Sequence, residues 1–179
     1  MPFTATIDAE RFVLNGQCFR EAVPPERLYS VLGLPDRIEA TSQPAPIGHR
    51  NNQIHLYDDL GLYLIEHHFT FLVEGIVFVL WREEAAFRPK AEIEGELRVG
   101  DIVLSPGIAE SDMGESNLPF VSQLRGSWHF KTDDMWVGFD SKGERNSTGR
   151  RSQRRRVVSV AVCLKHDPWD ARFRQEPVG

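Results

Sequence analysis

The stretch HLYDDLGLYLIEHH, residues 55–68, gathers three histidines, three carboxylates and two tyrosines in fourteen positions. Such residues can ligate a metal or share acid–base work. Spacing tests both ideas. In a strand, successive side chains alternate between faces. His55 then faces away from Ile54 and Leu56, toward solvent, and the adjacent His67 and His68 point to opposite faces. Opposed imidazoles chelate one ion poorly, and the helical HExxH motif is absent. No metal ligand and no cofactor are expected.

Asp58-Asp59 and Asp133-Asp134 are the second candidate chemistry. A carboxylate pair catalyses when one member is desolvated and its pKa is raised. Asp-Asp is also good turn chemistry, because Asp side chains bond nearby backbone amides. The pair occurs twice, and a turn repeats with its fold whereas a single active site does not. The turn reading is therefore preferred. The sequence has neither a GxSxG nucleophile elbow nor a GxxxxGK[ST] phosphate loop. A non-enzymatic protein is expected.

Alternation predicts strands near 3–7, 11–14 and 17–19, with Asn15-Gly16 as a hairpin turn. VPPERLYSVLGLP predicts a helix. Pro25 suits its first turn, Leu28, Val31 and Leu32 share a face, and Gly33 then Pro35 stop it. RIEAT (37–41), QIHLY, LYLIE and GIVFVLW read as further strands. So do two segments around Val99-Gly100-Asp101, a hairpin in GSWHFKTDDMWVGF, and VVSVAVCLK as the last core strand. ESDMGESN reads as a loop or weak helix start. The count gives an α+β fold, mainly antiparallel sheet, with at least one helix packed on a sheet face.

IHLYDDLGLYL and HFKTDDMWVGF overlay with an offset of 75 residues, which suggests two degenerate repeats. Their halves run about 1–82 and 90–166 within a single domain, 1–179, followed by a tail at 167–179. The helix followed by LGLP, then strands ending in GIVFVLW, resembles the repeat unit of the β-lactamase-inhibitor-protein fold. FVLNG, ERLYSVLGLPDRI and YDDLGLYLIEH also resemble small bacterial immunity-type proteins of polymorphic and type VI secretion toxin systems. The resemblance implies a fold and a toxin-binding role, and it carries no catalytic residue.

The net charge of −5 is uneven. Residues 142–179 hold ten Lys/Arg against four Asp/Glu, and the rest of the chain holds 11 against 22. An acidic body repels nucleic acid and favours basic partners. RRSQRRR, 150–156, has five arginines and reads as a solvated loop; its rival reading is an RNA grip. It lacks interleaved aromatics for base stacking. Cys18 and Cys163 lie in apolar stretches, without CxxC partners, and are expected to be buried, inert thiols. The chain has no apolar run near 20 residues and no leader pattern at its start, so a cytoplasmic protein that avoids membranes is expected.

Trp128, Asp133, Asp134 and Trp136 place aromatics beside acids, an anchor-and-rim composition. With Asp58 and Asp59 they are the expected partner-binding residues. The expected function is that of a cytoplasmic immunity protein that binds and neutralises a cognate antibacterial toxin. An RNA-binding or regulatory protein using 150–156 is the alternative.

Overall fold

A computed structural model describes residues 2–41, 51–81, 89–124, 126–145 and 151–165. The chain opens with β1 (Phe3–Ile7) and the hairpin β2 (Phe12–Leu14) and β3 (Gln17–Phe19). Helix α1 (Pro25–Leu32) follows, then β4 (Arg37–Ala40), β5 (Gln53–Tyr57), β6 (Leu62–Glu66) and β7 (Val73–Val79). A second hairpin, β8 (Gly95–Val99) and β9 (Ile102–Leu104), leads to the short α2 (Glu110–Gly114). Strands β10 (Val121–Leu124), β11 (Ser127–Lys131), β12 (Met135–Arg145) and β13 (Arg151–Leu164) complete the order.

The strands form a five-stranded sheet, β3-β2-β1-β8-β9, and an eight-stranded sheet, β10-β11-β12-β13-β7-β6-β5-β4. The larger sheet is antiparallel throughout. In the smaller one, β1 pairs with β8 in parallel, which the antiparallel expectation did not include. The larger sheet runs inward from both edges, β4 to β7 from one and β10 to β13 from the other, until β7 meets β13. Phe78 of β7 joins the sheets, with its ring 5.4 Å from that of Phe3 and 6.3 Å from that of Phe12. Leu62, Leu64, Ile76, Phe130, Val137, Val160 and Val162 extend the same buried core.

Local chemistry sets the elements. Leu14 pairs with Gln17 across a two-residue turn, with Asn15 at φ 47° and Gly16 at φ 80°, the left-handed pair a tight hairpin needs. Pro25 sits in the first turn of α1, where its missing N–H has no helical partner to lose. Leu28 is buried in the core, and Val31 and Leu32 pack against it. Gly33, at φ 88°, ends the helix and donates its N–H to the Tyr29 carbonyl at 2.8 Å.

Both Asp-Asp pairs occupy turns. Leu60 and Gly61 donate to the Tyr57 carbonyl, and Thr132 donates to that of Met135. From β5 to β11 the sheet reverses direction at each of five pairings, so the two turns lie at opposite ends.

Three expectations are corrected. The Arg-rich segment is no loop: 151–156 is the first part of the fourteen-residue β13, paired along its length with β12. Its charged side chains hid the alternation that marks a strand. Arg150 and the tail 167–179 lie outside the described residues. Strand β10 was not anticipated. Cys18 is exposed and Cys163 half-buried, because β3 is an edge strand and Cys18 faces outward from it.

Candidate functional site

The histidine stretch forms β5, its turn, β6 and the chain just beyond. Register places Ile38, His55, Leu64 and Ile76 side by side on adjacent strands, so they share one face. That face is the core side. His55 is therefore buried, 2% exposed, and the expectation that it faces solvent is corrected. The alternation was right and the face was wrong, because Ile54 and Leu56 are also covered on the opposite face.

His55 meets Tyr29 of α1, with ring centres 5.7 Å apart. The Tyr29 hydroxyl is 2.5 Å from His55 Nδ1, and His55 Nε2 is 2.8 Å from the Glu66 carboxylate. One assignment satisfies all three groups: Tyr29 O–H donates to Nδ1, and Nε2–H donates to Glu66. Burial, then the nearby Glu66 and Glu26 carboxylates, push the Tyr29 hydroxyl up to about 12, so it keeps its proton at neutral pH. Both ring nitrogens of His55 are engaged within the protein.

This triad floors a cleft of about 530 Å³. Its polar lining is Glu26, Tyr29, Gln53, His55, Glu66 and Thr70. Its apolar lining is Pro24, Pro25, Ile38, Phe71 and Leu72. Ile38 is 52% exposed and Phe71 43% exposed, so both stand at the mouth. Phe71 has φ 57°, a left-handed conformation that is unusual for a bulky side chain. Its N–H donates to the His67 carbonyl at 3.0 Å and closes the turn after β6.

His67 and His68 do not point to opposite faces. They follow β6 in that turn, where strand alternation no longer holds, and their rings lie 4.6 Å apart. His68 Nδ1 is 2.7 Å from Asn52 Oδ1, and His67 Nδ1 is 3.7 Å from Glu74. Among the described residues, no three His, Cys, Asp or Glu side chains are grouped to hold a metal ion.

The other expected site residues divide. Asp58 is buried at 2% exposure; its carboxylate accepts from Arg37 at 2.9 and 3.1 Å and pairs with Lys90 at 3.1 Å. The Arg37 bonds, joined by Lys90, hold it below the usual carboxylate range although burial pushes the other way. Asp59 beside it is exposed. Trp128 is half-buried, stacks on Phe139 at 6.1 Å and donates its indole N–H to Glu110 at 2.9 Å. Burial pushes the Glu110 carboxyl up, but bonds from Ser141, Trp128 and Arg155 outweigh it and hold the group low. Arg155 pairs with Glu110 at 2.6 Å, and the Arg156 guanidinium lies 5.8 Å from the Trp81 ring centre.

Asp133 and Asp134 are exposed, and Trp136 is half-buried against His129. Lys165 donates to the Asp134 carbonyl and accepts from Ala22, and Val23 bridges Val73. That chain of bonds puts Asp133, Asp134 and Trp136 at the same end of the sheet as the cleft. Asp58 and Asp59 are at the other end. Sequence reasoning missed Tyr29, Glu66 and Phe71 as a group. The available signals were Tyr29 beside Leu28 in the helix and Glu66 within the histidine stretch.

A family model, Domain of unknown function (DUF7738), matches residues 4–113. The match runs from β1 into α2 and contains every residue of the cleft. No curated protein and no solved structure matches the chain.

Proposed function

The chain belongs to the DUF7738 family, a domain of unknown function, and from its geometry we propose a non-catalytic protein that binds another protein. In its specific form the proposal is a cytoplasmic immunity protein that neutralises a cognate antibacterial toxin by covering its active site. The observation that carries the binding reading is Phe71. A bulky residue in a left-handed conformation is a local cost, and such costs cluster at ligand clamps and switch regions. Here it holds an aromatic ring, 43% exposed, at the mouth of a polar-floored cleft. Phe69, 54% exposed, stands two residues away in the same turn. Exposed aromatics, with the exposed acids Asp133 and Asp134 at the same end of the sheet, have the composition of a binding surface.

The polar clusters fit the same reading. His55 uses both nitrogens inside the protein, and Asp58 and Glu110 are each held by arginine. A general base must reach the proton it abstracts, and these groups face protein partners instead. The proposal also takes the halves 1–82 and 90–166 as degenerate repeats within one domain, with α1 packed on the larger sheet. Its support is the sheet order, in which each half contributes a hairpin, a helix and a four-strand run ending at the centre. No described helix is long and apolar enough to cross a membrane.

The test is co-expression with the product of the neighbouring gene, followed by co-purification and a cell-protection assay. The expected result is a complex that protects, and that Phe71→Ala weakens by roughly thirtyfold, the effect of losing about 2 kcal/mol at an aromatic anchor. Failure of the wild type both to bind and to protect overturns the immunity reading.

A further inference from the structure

The smaller sheet ends, at its β1–β2 turn, in a pocket of about 450 Å³. That turn supplies Asp8, Glu10 and Arg11, the chain just after β3 supplies Arg20, and Gly100 and Asn117 close the far side. Strand register explains the gathering. Phe12 pairs with Phe19, so one step outward Arg11 stands opposite Arg20. Ile7 pairs with Val99, so one step outward Asp8 stands beside Gly100, whose N–H donates to the Ile7 carbonyl at 2.8 Å.

Like charges directly opposite each other destabilise a hairpin. The protein compensates one of the two arginines. Asp8 Oδ2 accepts from Arg11 Nε at 3.0 Å, and Asp8 Oδ1 accepts from the Glu10 and Arg11 backbone N–H groups, both at 2.9 Å. Burial pushes the Asp8 carboxyl up, but the Glu10 and Arg11 bonds outweigh it and hold the group low. Asp8 thus anchors Arg11 by a single side-chain nitrogen, and a guanidinium has two more to offer. Among the described residues, Arg20 has no hydrogen-bond or ion-pair partner, and Glu10 pairs with neither arginine. Across the pocket, Gly100 has φ 60°, and the Asn117 side chain fills the space that a Cβ there would take. The Asn117 backbone N–H is fixed on Asp101 at 3.1 Å, so a neutral amide stands in the pocket wall.

We propose that this pocket binds a small oxyanion, a carboxylate or a phosphate group, between Arg11 and Arg20. The guanidinium fork matches both groups, two bonds at a time. An anion between the arginines replaces their mutual repulsion with two attractions. Glu10 shares the pocket and opposes the ligand, so it lowers the affinity. Residues 1–141 carry an excess of acid, which leaves the attraction to these two side chains and makes it sensitive to salt. The site stands apart from the partner-binding reading, because it uses none of the residues that line the cleft.

The experiment titrates the full chain with sodium phosphate and, separately, with sodium acetate, at constant ionic strength set by sodium chloride. Backbone amide signals of Ala9, Gly100 and Asn117 are followed by NMR, with the Trp128 indole signal as the check of folding. Saturable shifts with at least one oxyanion are expected, and the tighter of the two assigns the ligand class. Arg20→Gln should weaken that binding by about tenfold, the effect of losing charge-assisted bonds. Glu10→Gln should strengthen it. No saturable shift with either anion overturns the site, and so does undiminished affinity in folded Arg20→Gln. Saturable shifts that spare Ala9, Gly100 and Asn117 but move other signals place the anion elsewhere and overturn it as well.

Discussion

His55 and Glu66 are hydrogen-bonded at 2.8 Å although they are not register partners. His55 stands opposite Leu64, and Glu66 opposite Gln53, so the bond runs diagonally between β5 and β6. Diagonal neighbours on one face lie within reach of long side chains. The bond places an ionisable pair on the core face, next to Leu64 and Tyr57. His55→Leu removes the imidazole from both Glu66 and Tyr29. Removing one member of a buried pair costs about 3 kcal/mol, because the other loses one of its bonds. The double variant His55→Leu/Glu66→Leu should recover part of that loss. Urea unfolding of wild type, both single variants and the double variant measures it. A double variant as unstable as the sum of the singles shows that the two side chains are not coupled.

Acid stability should depend on Asp58. Bonds from Arg37, then Lys90, depress its pKa in the folded protein. A depressed carboxylate binds its proton more tightly unfolded, so its contribution is present above the unfolded pKa of about 3.9 and is lost as pH falls through the folded value. Asp58→Asn should be less stable than wild type at neutral pH, and the gap should close as the medium is acidified. Denaturant midpoints across that range give the answer. A constant gap would mean that Asp58 acts through packing alone.

How far the sequence revealed this arrangement depends on which force shaped each part. The Asn15-Gly16 hairpin and the helix ending at Gly33 were legible, because each rests on local backbone geometry that only a few residue types satisfy. The cleft was not. His55 lies between Ile54 and Leu56, and alternation alone says that the two apolar neighbours share a face, not which face is the core. Both are covered here, so the usual inference from apolar neighbours inverted the site. Arg155 was hidden for a related reason. A run of arginines signals solvent, yet Glu110, 45 residues earlier, meets its guanidinium on α2, and no local pattern announces that contact.

The two turn glycines should respond differently to alanine. Gly16 and Gly61 both adopt positive φ, 80° and 68°, so each substitution carries a left-handed cost of about 1–2 kcal/mol. A Cβ at Gly16 meets no atom within 4 Å, whereas one at Gly61 runs into the backbone of Glu92. Gly61→Ala should therefore lower the thermal midpoint well beyond Gly16→Ala. Equal midpoints would show that the 92–93 segment yields freely.

Thiol labelling should separate the cysteines. Cys18 is exposed, and Cys163 is half-buried, with burial and then Glu74 pushing its thiol up. The thiolate is the reactive form, so the native protein should take one equivalent of a thiol reagent quickly, at Cys18, and a second only on unfolding. Rapid modification of both in the native state would contradict the placement of β13 between β7 and β12.

Phe71 allows backbone cost and ring contact to be separated. Its φ of 57° favours glycine, then asparagine, over alanine, while all three substitutions remove the same ring. Stability should therefore rank Phe71→Gly above Phe71→Asn above Phe71→Ala, with roughly 1 kcal/mol between the extremes. Partner affinity should follow the ring alone and fall by a similar factor in all three. Thermal melts give the first series, and co-purification or calorimetry with the partner gives the second. If affinity tracks stability instead, with Phe71→Gly binding like wild type, the turn matters only through its fold and Phe71 is no anchor. If Phe71→Gly is the least stable, the ring packs more than its exposure indicates, and the left-handed conformation follows from packing rather than from binding.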